Sequence, residues 1–416
     1  MTRNIEEPVP AGVPATGRAP LVGMSLEAMR GMLAALGEPS YRAKQLYQWV
    51  YARRSPDFEG MTSLSHGLRE RLATTHHLGR PEVGRAQSSA DGTRKYLYKL
   101  PGGKAESVLM PEPRRVTFCI SSQAGCALDC RFCLTALMGF GRHLTPGEIV
   151  GQVLTMLDDP AVGELPVNVV FMGMGEPLHN YDNVLEAYRL LIDQMGIGIP
   201  PRRVTLSTAG MVPGILRLAK EASRPRLAIS LNATTDEIRD QIMPINRKHP
   251  IAELLGAAAA MPLGPRERVT LEYVMLEGVN AELVDARRLL GLVRKHDLRA
   301  KVNLIPFNPG GGLDYKAPPK EKIMAFHDLL QTAGLSCYTR KNRGRDISAA
   351  CGQLAVLDGA ASAKLDARRR GARPADAPTK PGGPGGDSRS GRGRVAKSKR
   401  PAPGRARRAG DRRRGK

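Results

Sequence analysis

Apolar and polar positions alternate in two different ways along this chain of 416 residues. Between residues 21 and 78, apolar side chains recur at intervals of three and four, which predicts a small all-α region. Its first helix is expected to follow Ser25, a favoured N-cap, and to end at Gly37. Short β-type runs bounded by glycine and proline begin near residue 83, so the chain changes there from helices to strands.

From Val116 onward, apolar strands alternate with stretches of helix length. The six strands are VTFCIS, VNVVFMG, RVTLSTAG, RLAISLN, RVTLEYVML and KVNLIPF. This alternation predicts parallel strands with right-handed crossovers, in an α/β fold of the partial, open (βα)6 TIM-like barrel type. Active sites of parallel α/β folds lie beyond the carboxyl ends of the strands, so functional side chains are expected there.

These patterns divide the chain into five predicted segments. They are a flexible N-terminus at 1–20, a helical accessory domain at 21–82 whose basic helices suit RNA, a β-rich lead-in at 83–115, the barrel at 116–357, and a disordered basic tail at 358–416. Residues 361–416 hold nineteen basic and four acidic residues, +15 of the total charge of +23, and no aromatic residue. Such a segment cannot form a core, and it suits either RNA phosphates or simple solubilisation.

Composition excludes several classes of protein. Six cysteines are too few for a disulfide scaffold in a chain of 416 residues. The first twenty residues lack the apolar stretch of a secretory signal. The most apolar segment, 251–264, is interrupted by a glutamate and a proline and falls short of the ~20 residues that a membrane span requires. We expect a cytoplasmic protein with reduced thiols and no membrane association.

The first barrel strand leads into a loop that contains Cys126, Cys130 and Cys133. The CxxxCxxC spacing favours a [4Fe–4S] cluster, because thiolates are its usual ligands and three of them leave one iron open to a small molecule. A zinc site is the alternative, with Cys119 or His143 as a fourth ligand. Three packed, inert thiols are a further alternative, which the glycine, serine and glutamine content of the loop argues against.

Candidate ligand-binding residues also follow the later barrel strands. They are Gly175 and Glu176 after the second strand, Ser207 after the third, Ser230, Leu231 and Asn232 at the end of the fourth, and Asn308 after the sixth. Glycines admit a ligand close to the backbone, a carboxylate can receive an amino group, and hydroxyls and amides can hold ribose and adenine. Simple capping of the strand ends explains each residue equally well when it is taken alone.

The cysteine spacing after the first strand of a βα barrel resembles the radical S-adenosylmethionine (SAM) superfamily. The string CISSQAGCALDCRFC, followed by GMGEP, LSTAG, ISLNA, PINRK, NLIPFNP and RGRDISAACGQL, resembles the RlmN/Cfr adenosine methyltransferases of ribosomal RNA over about residues 21–357. The resemblance implies one [4Fe–4S] cluster per chain, two SAM molecules per turnover, and contacts to SAM from the seven strand-end residues named above. It assigns the cluster to Cys126, Cys130 and Cys133.

The resemblance also gives roles to residues that composition would leave inert. It implies that Cys351 is methylated and then delivers its carbon to the substrate. Cys119 would release the product through a transient disulfide with Cys351, and Glu106, in ESVLMPE, would be the general base. Cys337 matches no motif and is interpreted as a structural thiol.

The implied reaction is methylation of C2 of adenine, at adenine 2503 of 23S rRNA and adenine 37 of some tRNAs. A Cfr-type enzyme that methylates C8 of the same adenine is one alternative, and a non-catalytic Fe–S RNA-binding protein is another. A small electron-donor protein such as flavodoxin and a monomeric state are also expected. Candidate phosphate guides are Arg202, Arg203, Arg340, Lys341, Arg343 and Arg345, although an ordinary solvated surface explains any one of them equally well.

Overall fold

The computed structural model describes residues 17–309 and 313–355. Most of the predicted flexible N-terminus and the whole of the predicted tail at 358–416 lie outside the described residues. Among the described helices, none combines the length and the apolar character needed to cross a bilayer.

The amino-terminal part of the described chain is helical, as predicted. Its elements are β1 Ala19–Pro20, α1 Leu26–Ala35, α2 Ser40–Tyr47 with a π-helical continuation at Gln48–Ala52, α3 His66–Thr75 and β2 His76–His77. Ser25 caps α1 by accepting a hydrogen bond from the Ala28 amide. The short strands β1 and β2 pair in parallel, so this region is not purely helical as the apolar spacing suggested.

Strands dominate the centre of the fold. They are β3 Glu82–Ser88, β4 Arg94–Leu100, β5 Gly103–Glu112, β6 Arg115–Cys119, β7 Gln123–Gly125, β8 Phe140–His143, β9 Val167–Phe171, β10 Val204–Thr208, β11 Arg226–Ser230, β12 Val269–Met275, β13 Ala300–Pro306 and β14 Cys337–Thr339. Apart from the hairpin β7–β8, they form one sheet ordered along the chain from β3 to β14. Strands β3 to β6 are antiparallel, and every pairing from β6 to β14 is parallel.

Helices connect the parallel strands. They are α4 Thr135–Met138, α5 Pro146–Leu157, α6 Tyr181–Ile192, α7 Val212–Leu218, α8 Asp236–Ile242, α9 Ile251–Ala259, α10 Leu283–Lys295 and α11 Lys320–Thr332. The predicted open barrel of the α/β class is therefore confirmed. Both α8 and α11 were missed, and so was β14, which is only three residues long.

The core lies between the sheet and its helices. Val169, Leu206, Ile229 and Leu271 on successive parallel strands are all at most 2 % exposed. Burial on both faces explains why these strands are almost continuously apolar in sequence. The polar residues that follow them are consequently confined to the carboxyl ends of the strands.

After β14 the chain returns across the open side of the barrel as residues 340–355, which we call the return segment. Hydrogen bonds attach the middle of the return segment to the turn between β3 and β4. Asp346 accepts a hydrogen bond from the Ser89 hydroxyl at 2.6 Å, and the Gly344 amide donates to Asp91 at 3.1 Å. The return segment therefore reaches from the last parallel strand to the antiparallel strands at the opposite end of the sheet.

Candidate active site

The carboxyl ends of the parallel strands enclose a cavity of about 170 Å³. Predicted site residues in its wall are Cys126, Cys130, Cys133, Gly175, Glu176, Ser207, Ser230, Asn232, Asn308 and Cys351. Glu106, Cys119 and Leu231 do not line it. The structure thus brings the three clustered thiols, most of the strand-end polar residues and the thiol of the return segment to one place.

The three thiols of the cluster loop lie between β7 and α4. Burial, followed by the charge of neighbouring thiols, raises the pKa of Cys126 to about 12 and that of Cys130 well above the usual range. Thiols in this setting become thiolates when a bound cation compensates their charge. The donor set therefore fits a metal centre better than three packed, inert cysteines.

A single zinc ion fits these residues less well than a cluster does. In the described part of the chain, no group of three or more His, Cys, Asp or Glu side chains converges to hold one metal ion. Zinc requires four ligands at about 2.0–2.3 Å from one point, whereas thiolates that bind different irons of a cluster stay further apart. Cys119 and His143, the candidates for a fourth zinc ligand, are absent from the cavity wall.

Glu176 presents a carboxylate that is only 3 % exposed. Its two oxygens accept the amides of Leu178 at 3.0 Å and Ala209 at 2.8 Å. Burial raises its pKa to about 7, against the opposing effect of these amides. The carboxyl group is therefore fixed by backbone donors and changes its charge near neutral pH.

Gly175 holds this carboxylate close to the cluster loop. Its φ of +100° is unfavourable for other residues, and an added Cβ would lie 2.5 Å from Cβ of Gln123. Gln123 uses the space by accepting the Glu176 amide at 2.8 Å. A glycine at this position thus allows the second strand end and β7 to approach closely.

Two hydroxyls and an amide extend the wall beyond Glu176. Ser207 and Ser230 lie with their hydroxyl oxygens 3.5 Å apart at the ends of β10 and β11. Asn232 has a φ of +56°, and its side-chain oxygen accepts the Val274 amide at 2.8 Å. Asn232 therefore also braces β12, while Leu231 packs in the core with no exposed surface.

Arg239 on α8 is a residue of the site that sequence reasoning missed. It has no exposed surface, and it donates to the carbonyls of Ala209, Ser230 and Leu231 at 2.6, 3.2 and 3.0 Å. Burial lowers its pKa to about 10. Its guanidinium ties together the ends of β10 and β11. The only hint of its importance in the sequence is the nearby PINRK motif. The Asn246 side chain of that motif accepts a hydrogen bond from Arg239 at 2.9 Å.

Cys351 lies exposed on the return segment and faces the cavity. The neighbouring Gly352 carbonyl accepts the Leu134 amide at 2.7 Å, which joins the return segment to the cluster loop. The side-chain amide of Gln353 donates to the Asn308 carbonyl at 3.4 Å and so joins the return segment to the end of β13. These contacts explain why CGQL and NLIPFNP lie together although they are distant in sequence.

Arg340, one of the predicted phosphate guides, lies in the wall of the cavity. The charge of the Cys351 thiolate, ahead of Glu272 at 3.8 Å, raises the pKa of Arg340. Arg202 and Arg203 precede β10 and so lie at the opposite end of the strand from the cavity. Lys341 and Arg345 remain exposed on the return segment.

Glu106 and Cys119 belong to a second group, which we call the buried layer and which also contains Lys95. Glu106 on β5 is 5 % exposed, and its Oε1 lies 3.1 Å from Nζ of Lys95 on β4. Burial raises the pKa of Glu106, and Lys95 opposes this effect. Cys119 at the end of β6 pairs with Val108 on the same sheet face, two residues from Glu106.

The return segment covers the buried layer. Its Ala349 and Leu354 pack on Val108, with Cys119 against the same cluster, and its Ser348 carbonyl accepts from Lys95 at 3.4 Å. Burial raises the pKa of Cys119 to about 12. The return segment therefore connects the cavity, where Cys351 lies, with the acid and the second thiol.

Comparison with known proteins gives a consistent result. Residues 120–290 match the Radical SAM superfamily, and residues 19–78 match the ribosomal RNA large subunit methyltransferase N-terminal domain. The chain is 49 % identical to the dual-specificity RNA methyltransferase RlmN of Rhodospirillum rubrum, over 80 % of this chain and 79 % of that protein. It is 45 % identical to the protein of the same name from Pelobacter propionicus, over 85 % and 99 %. The chain belongs to the RlmN family.

A solved structure supports the fold of this RlmN family member. The crystal structure of a radical SAM methyltransferase from Sphaerobacter thermophilus matches with a TM-score of 0.75 and 40 % identity, over 80 % of this chain and 98 % of that one. Membership of the radical SAM superfamily implies a [4Fe–4S] cluster and SAM. The three cavity thiols fit the cluster, and Glu176 with the two serine hydroxyls fits the polar groups of SAM.

Proposed function

We propose that the chain methylates C2 of adenine in RNA, at adenine 2503 of 23S rRNA and adenine 37 of some tRNAs. The names of the relatives, dual-specificity RNA methyltransferases, support RNA as the substrate. The observation that carries the proposal is the position of the return segment. It presents Cys351 to the cavity of the cluster thiols and also covers Glu106 and Cys119.

Cys126, Cys130 and Cys133 would hold one cluster per chain, while Gly175, Glu176, Ser207, Ser230, Asn232 and Asn308 would contact SAM, two molecules per turnover. Leu231 is fully buried behind the cavity wall and would support these residues rather than touch SAM. Bound cluster and SAM would supply a methyl cation equivalent, a 5′-deoxyadenosyl radical that accepts a hydrogen atom, and a one-electron acceptor. Aromatic C2 of adenine is a poor nucleophile, so direct methyl transfer to it is unfavourable. A carbon radical carried by the protein avoids this difficulty.

Cys351 is the carrier in this proposal. Its thiolate takes a methyl group, and the S-methyl then loses a hydrogen atom and becomes a methylene radical. Arg340 lies in the same cavity wall as Cys351. The methylene carbon then bonds to C2 of adenine, which leaves the base covalently attached to Cys351.

Glu106 and Cys119 complete the transfer. The attached base gives up one electron and its C2 proton, and the Glu106 carboxylate accepts the proton. The Cys119 thiol then gives up its proton as its sulfur attacks the Cys351 sulfur, so that an S–S bond forms while the S–C bond breaks. The electron pair of the broken bond stays on the methylene carbon, which takes a proton and becomes the product methyl group. A dithiol reductant returns the disulfide to two thiols.

RNA would approach the cavity from beyond the carboxyl ends of the parallel strands. The adenine must leave its stack to reach the cavity, so an extruded base or a single-stranded loop is expected. Exposed Lys341 and Arg345 on the return segment, and the helical region at 21–82, would contact phosphates. We also propose a small electron-donor protein such as flavodoxin as reductant, a monomeric state and a cytoplasmic location.

The modified base is the direct test. Oxygen-free, cluster-loaded protein would be incubated with SAM, reductant and either an rRNA fragment or a tRNA, and the RNA would be digested to nucleosides for mass spectrometry. We expect 2-methyladenosine from both RNAs. Detection of 8-methyladenosine without the 2-methyl isomer would instead assign the Cfr-type reaction, and no methyladenosine at all would favour the non-catalytic alternative.

A further inference from the structure

Lys95 is a buried charge to which the proposed function gives no task. Its side chain on β4 is 7 % exposed. Nζ lies 3.1 Å from Oε1 of Glu106 and 3.4 Å from the Ser348 carbonyl of the return segment. Ion pairs this deeply buried are seldom a net gain for stability, because both charges lose their hydration. Stability alone therefore does not account for the Lys95–Glu106 pair.

The two oxygens of Glu106 are in different situations. Oε1 is held by Lys95, whereas Oε2 makes no hydrogen bond within the described residues. A buried carboxyl group without a counter-charge prefers to stay protonated, and a protonated acid cannot accept another proton. The Lys95 ammonium works against that preference and leaves Oε2 as the available acceptor.

Few other charges act on Glu106. Arg85 on β3 is a second, weaker positive influence. Cys119 on β6 is uncharged at neutral pH because of its burial. The covering return segment offers Lys95 the Ser348 carbonyl, and its Ala355 backbone amide also favours the ionised form of Glu106. The ionisation of Glu106 therefore depends mainly on Lys95 among the side chains around it.

We propose that Lys95 is a positioning residue that keeps Glu106 ionised for removal of the C2 proton. The inference rests on the proposed function. In the step concerned, the C2 proton moves to Oε2 and the carboxylate becomes a neutral acid. The positive charge of Lys95 then favours release of the new proton to solvent.

Lys95→Met tests this role, with Lys99→Met as a matched control. Lys99 lies on the same strand but forms an exposed pair with Glu82 at 2.6 Å. For Lys95→Met we expect methylation of Cys351 to proceed as in the wild type, while RNA methylation falls roughly tenfold or more at pH 7. The covalent Cys351–RNA adduct should accumulate, and the acid limb of the pH–rate profile should move by about one unit or more to higher pH.

The conservative variant separates charge from packing. Lys95→Arg should restore most of the RNA methylation and the original pH profile, since it keeps the positive charge. Lys99→Met should behave as the wild type. An unshifted pH profile in Lys95→Met would overturn the inference, and so would a parallel fall in Cys351 methylation, which would indicate a merely structural role.

Glu106→Gln distinguishes this inference from the proposed function. If Glu106→Gln turns over like the wild type, Glu106 is not the base, and the proposed function fails at that step. If Glu106→Gln is inactive but Lys95→Met keeps the wild-type pH profile, the base assignment stands and only the role of Lys95 is lost. Both measurements use the full chain with its cluster and the same rRNA fragment.

Discussion

The cavity and the buried layer each contain a buried glutamate, and the two glutamates are held in different ways. In the cavity, the Glu176 carboxylate accepts two backbone amides, which the ends of parallel strands supply. In the buried layer, Glu106 is paired with the side chain of Lys95 on an antiparallel strand. Burial raises the pKa of both acids. Backbone amides fix the position of the Glu176 carboxylate, whereas a side-chain ion pair acts on the charge of Glu106.

Substitution of the cysteines in the two regions should stop RNA methylation at different stages, and loss of Cys351 should have the largest effect. Cys351→Ala removes the methyl acceptor, so RNA methylation should fall to background with no protein–RNA adduct. Cleavage of SAM should continue, because the cluster thiols are untouched. Scintillation counting of methyl-labelled RNA and chromatography of 5′-deoxyadenosine measure the two activities. Residual RNA methylation above background would contradict the carrier role.

Cys119→Ala should stop turnover at a later stage. Cys351 can still take the methyl group and attach to the base, but no thiol attacks its sulfur to release the product. We expect less than one product per chain and a covalent protein–RNA band on a denaturing gel. Cys337→Ala is the matched control, since this buried thiol lies on β14 outside the cavity wall. Multiple turnovers by Cys119→Ala would remove its proposed role.

Arg239→Met should weaken the cavity without touching its thiols. The change removes the side-chain donor from three backbone carbonyls and from Asn246, and we expect a loss of about 3 kcal/mol in the free energy of unfolding. Anaerobic denaturant titration of the cluster-loaded protein measures this loss. Arg287→Met, on the exposed face of α10, should stay within about 0.5 kcal/mol of the wild type. Equal stability of the two variants would show that the network around Arg239 is dispensable.

The pH dependence of SAM affinity should show the smallest effect. Glu176 has its pKa raised from 4.5 to about 7, so it is largely protonated at pH 6 and mostly ionised at pH 7.5. An ionised carboxylate accepts the SAM amino group better, so affinity should rise roughly eightfold over this interval, below the pH at which an α-amino group itself titrates. Equilibrium binding measures it, and Glu176→Gln should flatten the curve. A flat curve in the wild type would exclude Glu176 as the titrating contact.

Sequence reasoning found the cavity more completely than the buried layer. Strand-end residues such as Ser207 and Ser230 follow apolar runs, so the topology alone predicts that they meet. Glu106 gave no such signal, because its burial depends on a return segment more than 230 residues further along the chain. Its role came from the resemblance, and its partner Lys95 was not identified.

Long-range contacts also account for the other misses. Arg239 is one basic residue among many until the fold buries it against the carbonyls of two strands. Arg340 follows β14, a strand too short to show a pattern, so its place in the cavity wall was not expected. Arg202 and Arg203 lie before a parallel strand and away from the cavity, so their role as phosphate guides stays a prediction.

The return segment contains no sheet strand within the described residues. It is attached by scattered hydrogen bonds, such as Leu134 to Gly352 and Gly344 to Asp91, rather than by a continuous ladder. A tether of this kind can shift by a few ångströms while the barrel keeps every one of its pairings. The Cys351 sulfur can then occupy two positions in succession. It would take up its methyl carbon at the first position and transfer that carbon to the base at the second.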